Sequence, residues 1–183
     1  MRIKPLKLGG TFEISMEPRR DHRGYFARSY DREIFAEHGL NTDWVQENQS
    51  QSIQKDTIRG LHFQHPPYTE TKLVRVVQGA ILDVFVDIRK DSKTYGQWDS
   101  VELSEDNLKY VYIPKGFAHG FRTLTEIATV QYKVDSVYSA EHDAGIFWND
   151  DDLQIDWGNV GVPRISEKDS KLPPLRELQN LIK

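Results

Sequence analysis

Hydrophobicity along this chain alternates with a period of two, and no other feature limits the fold as tightly. In Ala80–Ile88, the side chains of Leu82, Val84, Val86 and Ile88 fall on one face of an extended segment, because successive residues of a strand point to opposite sides. Thr11–Met16, Gly24–Tyr30, TIRGLHF, KLVRVVQ, WDSVEL, KYVYIP and ATVQYKV also read as strands. In Trp44–Ser52, Gln46, Asn48, Ser50 and Ser52 share one polar face. Turn-rich pieces such as Arg89–Gln97 separate these segments. A short helix is predicted over Asp31–Gly39, with Asp31 as N-cap and Gly39 as stop. A second is predicted through LRELQNLI, and the pattern after Tyr138 is irregular. Short strands with turns every 8–12 residues or so favour a sandwich or barrel over alternating β and α units. The expected fold is an all-β jelly-roll barrel with a few short helices. It forms one domain over residues 1–183, with an N-terminal arm to about residue 30 and a tail from about residue 170.

A chain of 183 residues can bury a sizeable core, roughly 70% of the surface its unfolded form exposes. It has no cysteine, which excludes disulfides, thiolate catalysis and Cys-based metal sites. The start, MRIKPLKLGG, lacks the apolar run of a signal peptide. The net charge of −4 is of mixed sign and leaves no basic footprint for nucleic acid. The expectation is a cytoplasmic protein without nucleic-acid or membrane partners.

Two histidine segments raise the question of a metal. RGLHFQ (Arg59–Gln64) and IPKGFAHGF (Ile113–Phe121) sit at strand ends, as in metal-binding jelly rolls of the cupin type. That pattern has His-x-His, a Glu seven residues before a glycine, and P-x-G-x-x-H. The last is present as Pro114-Lys-Gly116-Phe-Ala-His119. The first is altered: His62 is followed by Gln64, and Lys72 stands seven residues before Gly79. A lysine offers donors and a positive charge where a carboxylate ligand is required. With two of four ligand positions changed, no metal and no cofactor is expected.

A cation at position 72 can instead stabilise a developing oxyanion, one of the tasks a metal performs in enolate chemistry. His62 is then a candidate base, Lys72 and Arg59 are candidate cations, and His119 and Tyr132 are further candidates. On ATVQYKV, Tyr132 shares the face of Ala128, Val130 and Val134 and so points inward. Strict alternation puts Arg59 and His62 on opposite faces, unless Gly60 bulges the strand. Taken singly, an interior tyrosine or histidine is more often packing than chemistry.

The segments DHRGYF, VQENQS, TIRGLHFQ, KLVRVVQGAILDVFVDIRKDSKTYGQW, IPKGFAHGF, YKVDSVY, GIFWND and ISEKD together resemble the dTDP-4-dehydrorhamnose 3,5-epimerases, metal-free cupins of deoxysugar biosynthesis. The resemblance implies a homodimer in which each barrel holds an active site and the neighbouring chain adds nucleotide contacts. By resemblance, His62 matches the catalytic base, Asp169 its partner and Tyr132 the acid. Arg59 and Lys72 match substrate contacts near the reacting sugar and phosphates, and His119 and Lys168 further binding positions. Arg23 matches a residue that reaches the nucleotide, as do Gln46 and Asn48. Phe26 and Asp143 are counted with the binding set, and Tyr138 matches the residue that stacks on thymine. The implied ligand is a dTDP-linked 4-keto-6-deoxy sugar, converted by inversion at carbons 3 and 5 on the way to cell-surface polysaccharide.

Three positions depart from the family pattern. Arg28 stands where Glu is usual, Glu47 where Asp is usual, and Asp143 where Glu is frequent. The charge reversal at Arg28 leaves the nucleotide open. A relative inverting carbon 3 alone would use the same acid and base, so it too stays open. A non-catalytic sugar-nucleotide binder is disfavoured because it needs neither acid nor base. A metal-dependent cupin oxygenase is disfavoured by Gln64 and Lys72.

Overall fold

The computed structural model describes residues 1–178. Its strands are β1 (Arg2–Pro5), β2 (Phe12–Ser15), β3 (Arg19–Asp21), β4 (Gly24–Phe26), β5 (Gln46–Ser52), β6 (Ile58–Gln64), β7 (Lys72–Gln78), β8 (Ala80–Asp87), β9 (Trp98–Ser104), β10 (Lys109–Ile113), β11 (Phe117–Thr123), β12 (Ala128–Val134) and β13 (Asp143–Gly145). Three short helices accompany them: α1 (Arg32–Glu37), α2 (Glu167–Ser170) and α3 (Leu175–Leu178). The rest of the second predicted helix, Gln179–Ile182, lies outside the described residues. None of the described helices is long and apolar enough to cross a membrane.

The strands form a six-stranded sheet in the order β1-β2-β10-β7-β12-β5 and a five-stranded sheet in the order β13-β6-β11-β8-β9, with β3-β4 as a separate hairpin. All of these ladders are antiparallel. The expected all-β, cupin-type jelly roll is thus present. Among the described residues no ladder joins the two sheets, so it is a sandwich rather than a barrel closed by hydrogen bonds. Sandwiches of this kind bury the inner faces of both sheets against each other.

Val74, Val76, Ile81, Phe85, Val101, Leu103, Val111, Ile113, Phe117, Phe121, Ala128 and Val130 make that inner core. The face predicted for Leu82, Val84, Val86 and Ile88 is real, but it looks outward. It packs with Ile58, Leu61 and Phe63 under the C-terminal segment, against Ile146, Leu153, Trp157, Leu175 and Leu178. β8 is therefore buried on both sides, with Ile81 and Phe85 turned inward and Asp83 between them on the same face. A third cluster covers the outside of the six-stranded sheet, where Phe35 of α1 meets Ile14, Leu73, Tyr110 and Tyr112.

Local signals worked as their chemistry requires. Asp31 caps α1 by accepting from the amides of Glu33 and Ile34, and Gly39 takes a left-handed φ of 67° just past its end. The strand expected over Gly24–Tyr30 stops at Phe26, where its partner β3, of three residues, also ends.

Candidate active site

The site begins with an irregularity in β6. His62 pairs with His119, but Arg59 pairs with Phe121, so three steps on β6 match two on β11. This is a bulge, and it falls at Gly60, whose φ of 113° suits glycine. A Cβ there would sit 2.7 Å from the Gly120 Cα and from the His119 carbonyl oxygen. The bulge cancels the alternation, so Arg59 and His62 both line one cavity of about 570 Å³.

His62 is held from behind. Its Nε2 lies 2.8 Å from Asp169 Oδ1, while the Gly60 amide donates to Oδ2 at 3.0 Å. Asp169 is in α2, whose N-cap Ser166 accepts from the Asp169 amide at 3.0 Å. Burial opposes charge on Asp169, but the hydrogen bonds from His62 and the Gly60 amide outweigh it and hold the carboxyl below its ordinary range. His62 itself stays one-third exposed, at 33%.

The other positions of the cupin pattern are also engaged. His119 Nε2 lies 2.8 Å from Asp83 Oδ2, and Asp83 is completely buried. Burial pushes the Asp83 carboxyl up, against the pull of His119 and Lys72. Lys72 Nζ is 2.8 Å from Glu70 Oε1. Gln64 donates to the carbonyls of Tyr68 at 2.9 Å and Val137 at 3.2 Å, and accepts from the Ser139 amide at 2.7 Å. Among the described residues no group of three or more His, Asp or Glu side chains is placed to hold a metal ion.

Tyr132 enters from the opposite sheet. It packs beside the inner core, half-buried, and lines the same cavity as His62. Lys72 Nζ lies 5.8 Å from the centre of its ring. Burial raises the hydroxyl pKa, the Glu70 charge raises it further, and Arg59 opposes both. Arg59 is tied to β5, donating to Ser52 Oγ at 3.2 Å and the Gln51 carbonyl at 3.1 Å.

The sequence model of the dTDP-4-dehydrorhamnose 3,5-epimerase family matches residues 5–177. The chain belongs to that family, whose members are isomerases. The epimerase of Methanothermobacter thermautotrophicus is 46% identical over 178 residues, covering 96% of this chain and 95% of that one. The crystal structure of the Bacillus anthracis enzyme with TDP and PPi bound superposes with a TM-score of 0.92 at 45% identity, covering 94% of this chain and 98% of that one. The Legionella pneumophila dTDP-6-deoxy-D-glucose-3,5-epimerase, in complex with dTDP-4-keto-L-rhamnose, gives a TM-score of 0.94 at 37% identity, covering 99% and 96%.

The remaining family positions divide into a rim and an outlying set. At the rim, Lys168 lines the cavity and donates to Asp143, which also accepts from the Tyr138 hydroxyl at 3.1 Å. Tyr138 is 63% exposed, and its amide donates to Gln46 at 3.1 Å. Asn48 stands opposite Tyr132 in the β5–β12 ladder and so shares its face. Glu47 stands opposite Lys133, pairs with it at 3.1 Å, and lies on the other face. Arg23 and Phe26 project from the exposed β3–β4 hairpin, where Arg23 is held by Asp21 at 2.6 Å. Arg28 pairs with Asp31 at 2.7 Å. None of these last three lines the cavity of its own chain.

Sequence reasoning missed Glu70, Asp83 and Ser166. Asp83 carried a readable signal, an acid on the same strand face as Ile81 and Phe85, where a buried charge demands a partner. Glu70 and Ser166 are ordinary loop residues in sequence and become visible only through what they bond.

Proposed function

We propose that the chain is a 3,5-epimerase that converts dTDP-4-dehydro-6-deoxy-D-glucose to dTDP-4-dehydro-L-rhamnose. The observation that carries this reading is that His62, on the five-stranded sheet, and Tyr132, on the six-stranded sheet, face one cavity from its two walls. Epimerisation beside a ketone removes a proton from one face of the carbon and returns one to the other, so it requires a base and an acid on opposite sides.

In this reading His62 takes the proton from carbon 5 or carbon 3, each adjacent to the carbon 4 ketone. The electron pair moves onto the ketone oxygen, giving an enolate. Lys72 stabilises that oxygen, and Tyr132 delivers a proton to the opposite face of the carbon. Asp169 orients His62 and stabilises the imidazolium it becomes. Arg59, His119 and Lys168 hold the substrate, and Tyr138, with Gln46 and Asp143 beside it, receives the thymine at the rim. Arg23, Phe26, Arg28, Glu47 and Asn48 complete the nucleotide site across a homodimer, with the outlying hairpin serving the partner's cavity. A cytoplasmic location fits a nucleotide-sugar substrate.

The test is proton NMR of the protein with dTDP-4-keto-6-deoxyglucose in deuterated water. Deuterium entering at carbons 3 and 5, with the L-sugar trapped by a reductase, supports the reading. Deuterium at carbon 3 alone points to a 3-epimerase, and no exchange at either carbon overturns the proposal.

A further inference from the structure

Lysine carries its charge on a flexible four-carbon stem, so the ammonium rests where a fixed acceptor holds it. For Lys72 that acceptor is Glu70, at 2.8 Å, and the two side chains are only 10% and 13% exposed. Glu70 is fixed in turn: Gln64 Nε2 donates to its Oε2 at 3.4 Å, and the same amide is anchored on the Tyr68 and Val137 carbonyls. Glu70 does not line the cavity of His62 and Tyr132. It borders a separate cavity of about 420 Å³ formed with Phe63, Ile88 and Phe117. Its contact with that cavity is therefore through Lys72, which lines it.

We propose that Glu70 is a positioning residue: it anchors the Lys72 ammonium against the Tyr132 ring and sets a negative charge against the cations that face that tyrosine. The inference deepens the epimerase reading and rests on it for its kinetic consequence alone. The charged groups around Tyr132 are Arg59 and His62 on β6, Lys72 on β7, His119 on β11, and Arg164, Lys168 and Asp169 from the C-terminal segment. The facing residues of β5, Asn48, Ser50 and Ser52, are uncharged. Of the acids, Asp169 is bonded to His62, Asp83 behind His119 is bonded to that histidine, and Asp143 to Lys168. Glu70 raises the pKa of the Tyr132 hydroxyl after burial has done so, while Arg59 lowers it. A general acid must hold its proton at the working pH, and Glu70 favours that form.

The experiment replaces Glu70→Gln, which keeps the size and hydrogen-bonding capacity and removes the charge. Tyr132 is titrated by NMR of ring-labelled tyrosine, its resonance assigned by its loss in Tyr132→Phe. The expected result is titration at lower pH than in the wild type. The high-pH limb of turnover of dTDP-4-keto-6-deoxyglucose should move the same way, and kcat should fall about tenfold with KM nearly unchanged, as loss of alignment predicts. Glu70→Asp should restore the titration by returning the charge. A Tyr132 titration unmoved in Glu70→Gln overturns the proposal. A moved titration in a protein whose wild type turns over no sugar supports the coupling and overturns the epimerase reading instead.

Discussion

His62 and Asp169 meet at 2.8 Å through Nε2, and the second carboxylate oxygen of Asp169 takes the Gly60 amide. Against burial, the hydrogen bonds from His62 and the Gly60 amide hold the carboxyl below its ordinary range, so at neutral pH it is ionised and can only accept. Nε2 must then carry the hydrogen, and the free lone pair of the ring is on Nδ1. The contact thus fixes a tautomer as well as an orientation.

Replacing Asp169→Asn removes that constraint, because an amide can donate to Nε2 and favour the opposite tautomer. Deuterium exchange into the sugar should fall by about 10²–10⁴-fold, with KM little changed. Exchange within a few-fold of wild type would remove Asp169 from the mechanism.

Gly60 bears the bulge on which the site depends. Gly60→Ala would put a Cβ 2.7 Å from the Gly120 Cα and the His119 carbonyl oxygen, at a φ of 113°. We expect a loss of about 3 kcal/mol, read as a Tm lower by roughly 5–10 °C, together with loss of activity as Arg59 and His62 part. An unchanged Tm would mean that β6 tolerates another course.

Asp87 governs acid stability at a distance from the chemistry. Burial opposes its charge, but hydrogen bonds from Arg89, Ser92 and Thr94 bring its pKa from 3.8 down to about 2. Above about pH 5 the carboxylate is ionised in both folded and unfolded chains, and its stabilisation is fully present. As pH falls from there toward 2, the unfolded chain binds the proton first and the stabilisation is lost. The shift corresponds to about 2 kcal/mol. Asp87→Asn should lower neutral-pH stability by about that amount and flatten the stability–pH curve between pH 4 and 2. A curve of unchanged slope in acid unfolding would contradict this.

Arg23 is predicted to act on the partner's substrate. Arg23→Ala should raise KM, and His62→Asn should abolish turnover. A mixture of the two variants, unfolded and refolded together, should regain low-substrate activity, because each heterodimer has one intact His62 facing one intact Arg23. Activity no greater than the sum of the separate variants would place Arg23 outside the site.

The strand faces were legible because period two is a local property. So was α1, whose Asp31 cap and Gly39 stop act within a few residues. The bulge was half legible: Arg59 and His62 needed to share a face and Gly60 could allow it, yet the distortion belongs to its contact with Gly120 on β11. What could not be read is long-range. His62 and Asp169 are 107 residues apart, and no spacing rule joins them; resemblance to relatives did. Alternation also could not say which side of β8 looks outward, since both are apolar and both are buried. Whether the jelly roll closes as a barrel or opens as a sandwich depends on pairing between distant edges and leaves no local trace.

In the proposed mechanism a base and an acid act from opposite walls of one cavity. The most direct test is the Tyr132→Phe variant with dTDP-4-keto-6-deoxyglucose in deuterated water, followed by proton NMR. Deuterium should still enter at the carbons beside the ketone while inversion slows by about 10²–10⁴-fold, because His62 still removes and returns protons on its own face. Inversion at the wild-type rate, or loss of exchange together with inversion in a protein that remains folded, would contradict that mechanism.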